Sequence, residues 1–346
     1  MSVSKHFLKL LSRSAQQSLL VFTSILLVSC STTSISDVRQ PVRMGSWYSE
    51  DPQRLGLYID KAVGNAAEKP IRPQNVARLC SQNSDLKKNV VAIVAPHVSY
   101  NFCGNALAQA YGTVAGRKFD RVFILGPVHQ GLVTNAVVPS ATRFATPFGS
   151  LPVDTETINK LLKSPVFAID EKTHDREVSI EMELPFVRRV LGEVKIVPII
   201  IGNCNKESAD KIADALSKVV SSNDLVVVST EFTQYGQRFD FEPFKNNVKE
   251  NIEGLDKQAF SFISHLDADG LLKFQQSSGD TICGINSLYV LLKMLPPQST
   301  VTLLDYYTSQ DVKTRKRRRR DISTSYMAIA FSGTQWDQGA SAAGKK

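Results

Sequence analysis

Two apolar runs, each closed by a turn that carries a proline and a histidine, constrain this chain more than any other feature. Val90-Val91-Ala92-Ile93-Val94-Ala95 contains no polar residue and is followed at once by Pro96 and His97. A run of that length without polar alternation reads as a strand buried on both faces, the pattern of a parallel sheet between helical layers. Arg121 to Leu125 is a second strand of this kind, closed by Gly126-Pro127-Val128-His129, and Asn105 to Tyr111 between them has helical composition. Lys195 to Ile201 and Asp224 to Phe232, separated by the helical stretch Lys206 to Val220, repeat the unit. Strands alternating with helices predict an α/β fold in three layers, a mainly parallel central sheet with helices on both faces and right-handed crossovers.

That topology places chemistry. Two of the five histidines, His97 and His129, stand just past the C-terminal ends of strands that one crossover makes parallel, so they share an edge of the sheet. Open α/β sheets bind ligands in the crevice beyond those ends. His6, His174 and His265 have no such placement. A histidine in a polar loop also serves merely to satisfy backbone groups, and spacing alone leaves both readings open.

Two other residues are candidates for chemistry. Cys283, in Asp280-Thr281-Ile282-Cys283-Gly284, precedes the apolar helical stretch Ile285 to Leu295. A helix N-terminus favours negative charge and lowers a thiol pKa, so Cys283 is a candidate ligand or nucleophile, against the usual fate of a free cysteine as an inert buried thiol. Glu231 ends the strand that begins at Leu225, and Thr233, Gln234 and Tyr235 follow it. With two histidines it would complete an Fe(II) ligand set, serve as an acid or base, or pair with a cation. The segment from His174 to Phe186 is rich in carboxylates whose spacing fixes no metal geometry, and these read as surface acids on a helix.

Composition is ordinary for a globular chain of 346 residues, with 42% hydrophobic and 21% charged. The net charge of +8 would suggest nucleic acid, but much of it sits in one cluster from Lys313 to Arg320, with no aromatic interleaving elsewhere. No nucleic-acid partner is expected, and the cluster reads as a solvated loop between the strands Val301 to Thr308 and Ser323 to Phe331. At the N-terminus Lys5, Lys9 and Arg13 precede an apolar run from Leu19 to Val28, too short to span a bilayer. Leu27-Val28-Ser29-Cys30 resembles a lipobox, in which Cys30 is lipidated and becomes the first mature residue. The expected organisation is a signal peptide at 1–29, a tether at 30–42, an α/β domain at 43–333 and a disordered tail at 334–346. The protein would then be lipid-anchored and extracytoplasmic, at the cell membrane or outer membrane. An ordinary cleaved signal or an uncleaved membrane-proximal helix is the alternative.

Several motifs together resemble the Memo family, which includes protein B of the bacterial AmmeMemoRadiSam system and a eukaryotic cell-motility mediator. They are Gly45-Ser46-Trp47-Tyr48; Ala95-Pro96-His97 with Tyr100 and Cys103-Gly104; and Leu125-Gly126-Pro127-Val128-His129. Glu177 with Ser179-Ile180-Glu181-Met182 and Leu184-Pro185-Phe186, then Gly236-Gln237-Arg238-Phe239 and Thr281-Ile282-Cys283-Gly284, follow in the family's order. The resemblance runs from about Arg43 to Phe331 and implies a fold similar to class III extradiol dioxygenases. It also implies a copper or iron ion held by His97, His129 and Cys283, with Glu231, Gln234 and Tyr100 in the pocket. Where the family has an aspartate and, three residues on, a histidine, this chain has Glu231 and Gln234. Val178 likewise stands where histidine is common. Glutamine cannot shuttle a proton, so metal binding survives these departures better than turnover does.

Three functions follow from these residues: a metal-binding protein of this family, a non-haem iron oxidoreductase using His97, His129 and Glu231, and a module whose pocket captures a peptide or protein partner. The sequence alone assigns no reaction.

Overall fold

The computed structural model describes residues 37–66, 89–313, 322–333 and 336. Cys30, the signal segment and most of the basic cluster lie outside the described residues. Among the described residues no helix is long and apolar enough to cross a membrane.

The main sheet has nine strands. Its centre is four parallel strands in the spatial order β2 (Val90–Ala95), β9 (Asp224–Ser229), β3 (Arg121–Pro127) and β8 (Lys195–Ile201). Every residue of β2 and β9 is buried, which is why neither sequence alternates. The two strand-helix-strand units are interleaved: β9 sits between β2 and β3, and β3 between β9 and β8. All four still run the same way, so their C-terminal ends share one edge.

Both flanks are antiparallel, which makes the sheet more mixed than expected. β11 (Thr300–Thr308) and β12 (Ser323–Ser332) pair with each other, and β12 pairs antiparallel with β2. The two-residue β10 (Gln234–Tyr235) extends β12 beside that strand, pairing Gln234 with Thr324. On the other flank β4 (Ala136–Val138) runs antiparallel to β8 and parallel to β7 (Phe167–Ile169). A small second sheet joins β1 (Val38–Arg39), β5 (Arg143–Phe144) and β6 (Leu151–Pro152). Folded pairing therefore begins by Val38, inside the stretch read from sequence as tether.

Helices flank the sheet. α1 (Pro52–Ala66) packs on α2 (Tyr100–Gly112), which lies against β2, β11 and β12. α3 (Thr155–Leu161) precedes β7. The segment after it breaks into α4 (Glu171–Arg176), α5 (Val178–Glu181), α6 (Leu184–Phe186) and a π-turn at Val187–Leu191. α7 (Lys206–Ser217), α8 (Val248–Ser264), α9 (Ala268–Ser278) and α10 (Ile285–Met294) form another packed group, with α10 resting on β3 and β9. Two of these starts are marked by side-chain caps: Asn205 accepts the Ser208 N–H at α7 and Asp267 the Gly270 N–H at α9.

Two sequence expectations fail here. Of the carboxylates of the 174–186 segment, Asp175 is a surface acid as expected, but Glu177, Glu181 and Glu183 are all buried. Their partners come from remote segments: Glu181 accepts from the Val42 and Arg43 N–H groups and from Tyr48 Oη, and pairs with Arg39 at 2.8 Å. Trp336, placed in the disordered tail, is buried, and its indole N–H donates to the Asp224 carbonyl at the start of β9.

Candidate metal centre

His97 follows β2 and is buried. Its backbone N–H donates to Glu231 Oε1 at 2.6 Å, and its Nδ1 lies 2.9 Å from Ser229 Oγ at the end of β9. Glu231 stands two residues beyond that strand end, with Oε2 3.0 Å from His97 Nε2. His129 follows β3 across the crevice and is the solvent-facing member, its side chain 37% exposed. Glu177 at the start of α5 holds it, accepting the His129 N–H at 2.7 Å and lying 2.8 Å from Nδ1. The two Nε2 atoms are 3.4 Å apart.

Cys283 reaches these rings from the turn before α10. Its Sγ is 3.7 Å from His97 Nε2 and 3.7 Å from Glu231 Oε2, and it accepts the Glu231 N–H at 3.2 Å. The turn comes this close because the next residue is glycine: a Cβ on Gly284 would stand 2.5 Å from Thr230 Cβ, while the Gly284 N–H donates to Thr230 Oγ1. Donor atoms of His97, His129, Glu231 and Cys283 all lie within 4.8 Å of one another.

The electrostatics follow from burying these groups together. Burial works against charge on His97, yet Glu231 and Cys283 hold its pKa well above the ordinary value. Burial is likewise outweighed at His129, where hydrogen bonds to Cys283 and Glu177 lift it to about 9. Burial and Glu231 push the Cys283 thiol up, but His97 and hydrogen bonds from both imidazoles bring it down to about 7. For Glu177, burial is overcome by His129 and by hydrogen bonds from backbone N–H groups, which hold it at about 2.

A family model described as Memo-like protein matches residues 39–329. The chain belongs to the Memo family. It is 28% identical over 309 residues to human Protein MEMO1, covering 85% of this chain and 97% of that one. A MEMO1 family protein of Saccharolobus islandicus is 30% identical over 300 residues, covering 85% and 99%. Among solved structures, an uncharacterized Escherichia coli protein aligns with 70% of this chain and 100% of its own at a TM-score of 0.42 and 11% identity, too distant to add to this.

Of the residues the Memo resemblance pointed to, His97, His129, Glu231 and Cys283 meet in one place. Tyr100 does not join them: its ring stacks on Tyr48 and Tyr58, and its hydroxyl donates to the Met182 carbonyl, so its polar end is committed within the fold. Gln234 is tied through its backbone to Thr281, exchanging hydrogen bonds of 2.8 Å with that hydroxyl, and so fixes the turn leading to Cys283. Val178 is buried, its N–H donating to Glu177. His174 lies apart, with Nε2 on the Val137 carbonyl and a pKa that burial lowers to about 4. Sequence reasoning missed the supporting groups Glu177, Ser229 and Glu183. Only Glu177 gave a signal, through its place in the motif that ends at Phe186.

A cavity of about 280 Å³ opens beside Cys283, lined by Pro127, Val128, Leu132, Asn203, Ile285 and Asn286 among others. Leu132 at its rim is fully exposed.

Proposed function

We propose that this Memo-family chain binds a copper or iron ion through His97, His129 and Cys283, with Glu231 at the margin of the set. The supporting observation is the spacing of the donor atoms. Ligands held about 2.0–2.3 Å from one ion at tetrahedral angles lie roughly 3.3–3.8 Å apart. The two imidazole nitrogens are 3.4 Å apart, and His97 Nε2 is 3.7 Å from the sulfur. Both Nδ1 atoms are occupied by protein partners, which leaves the Nε2 atoms facing the centre, as metal-binding histidines are commonly held. A thiolate with two imidazoles suits a soft ion such as Cu(I), and among divalent ions the general affinity order favours copper.

Binding is better supported than turnover. Gln234 stands at the motif position where the resemblance to the family leads one to expect a histidine, and a glutamine cannot carry a proton. A bound redox-active ion would supply electron transfer. The chain's part is to hold it, exclude most water around His97, and admit a small neutral ligand through the cavity beside Cys283. On sequence grounds alone, we also propose that Cys30 carries a lipid anchor on the extracytoplasmic side.

Metal analysis of protein purified without a histidine tag tests the reading. About one copper or iron per chain is expected, lost in H97A/H129A and retained in H265A, whose histidine is exposed at the end of α8. Equal metal content in all three would place the ion elsewhere.

One observation favours a second reading. Glu231 Oε2 is only 3.0 Å from His97 Nε2, so iron held by two histidines and this carboxylate is sterically within reach. Uptake of O₂ with a catechol, dependent on added Fe(II), would favour it.

A further inference from the structure

At Nδ1, His129 is steadied by a carboxylate in direct contact, whereas Nδ1 of His97 meets a hydroxyl, and that hydroxyl has three polar neighbours. Ser229 Oγ lies 2.9 Å from His97 Nδ1, 2.8 Å from the Ser179 carbonyl oxygen and 2.8 Å from Glu183 Oε1. Ser179, Ser229 and Glu183 have no exposed surface. A serine hydroxyl has one proton and two lone pairs, so it donates once and accepts twice.

The carbonyl of Ser179 can only accept, and a buried carbonyl needs a donor. The Ser229 proton therefore goes to Ser179. The other two neighbours must then supply their own protons: Nδ1–H from His97, and O–H from Glu183. Any other assignment leaves at least one of these three contacts, 2.8–2.9 Å long, with no hydrogen between its atoms. The second carboxyl oxygen of Glu183 remains free to accept from Tyr111 Oη, 2.8 Å away. Every group in the set is then satisfied once.

We propose that Glu183 is a positioning residue that keeps its proton at neutral pH, donates it to Ser229, and so fixes His97 with Nδ1 protonated and Nε2 turned to the metal. The titratable groups around it are His97, Glu231, Tyr100, Tyr111 and Cys103. Burial, the largest influence, pushes its carboxyl up to about 8, in keeping with the proton count. The chemical identity needed at this position is thus a neutral donor and acceptor pair. A glutamine amide provides the same pair, with its NH₂ toward Ser229 and its oxygen toward Tyr111.

The assignment deepens the metal reading and rests on it for its consequence at His97, while the protonation itself is measured without metal. In metal-free full-length protein carrying ¹³C in the glutamate carboxyls, the signal missing from E183Q identifies Glu183. That signal should hold its protonated position at pH 6.5 and move only near pH 8. For Cu(I), measured by competition with a chromogenic chelator, E183Q should stay within about threefold of wild type. E183A and S229A should lose roughly tenfold to a hundredfold, the usual cost of removing a ligand's support. A carboxylate already ionised at pH 6.5, or E183Q as damaging as E183A, overturns the proposal. If E183A does not fold, the carboxyl titration of wild type still decides. If no protein binds copper, the metal reading fails while the titration continues to report on Glu183.

Discussion

Glu177 grips His129 twice, accepting its backbone N–H at 2.7 Å and standing 2.8 Å from its Nδ1, while the same carboxylate caps α5 through the N–H groups of Val178 and Ser179. One side chain thus orders a helix start and a candidate ligand together. E177Q should lower metal affinity tenfold to a hundredfold, since a neutral amide cannot meet four donors as a carboxylate does. It should also change the acid limb of stability. The Glu177 carboxyl is more acidic folded, at about 2, than unfolded, at about 4.3. The unfolded chain therefore binds more protons between those values, so this contribution is complete above pH 4.3 and is lost as pH falls through 2. About two pKa units correspond to about 3 kcal/mol. Urea unfolding of metal-free protein from pH 2 to 5 should show this slope in wild type and lack it in E177Q.

Much of this site was legible because it depends on strand ends. The runs that became β2, β3 and β9 announce themselves by unbroken apolar sequence, and parallel pairing brings the residues behind them to one edge, whatever the strand order. The interleaving of β9 between β2 and β3 was not legible, since short-range pattern carries no record of which remote strand pairs with which. The same limit hid Glu177, Glu181 and Glu183. An acid in a short helix looks solvated until the partners are known, and here they are His129, Arg39 and Tyr111, each far away in sequence. Tyr100 misled in the other direction, because a motif gives nearness to a site without giving the direction of a side chain.

Asp256, buried on α8, should act on stability with the opposite sign to Glu177. It accepts from the Thr233 N–H and hydroxyl and from Tyr306 Oη, yet burial, then Asp280, push its carboxyl up to about 7. The folded value exceeds the unfolded value of about 3.9, so the native state holds the proton more tightly. Its contribution is greatest below pH 4 and is lost as pH rises through 7, a change on the order of 4 kcal/mol. In D256N the fall in unfolding free energy between pH 4 and 7.5 should be shallower than in wild type. Glu183 shifts the same way in both proteins and cancels in the comparison.

Metal binding should release protons. At pH 7 the metal-free pocket carries protons on His97 and His129, with the Cys283 thiol at about 7, and an ion must replace those on the donor atoms. Calorimetry at pH 7 in buffers of different ionisation enthalpy should give more than one proton released per ion, and affinity should fall as pH drops from 8 to 6. A binding enthalpy independent of buffer would mean that the ion does not use these imidazoles.

The central claim is that Cys283, rather than Glu231, completes the set with His97 and His129. The most direct measurement is Cu(I) affinity of C283S and E231Q by chelator competition, with urea unfolding as a control for folding. Serine keeps the shape of the turn but replaces a soft thiolate with a hard hydroxyl of high pKa. C283S is expected to lose at least a hundredfold in Cu(I) affinity with little change in stability, and E231Q to lose less than tenfold. Wild-type affinity in C283S together with loss of binding in E231Q would contradict the account and give the third position to the carboxylate.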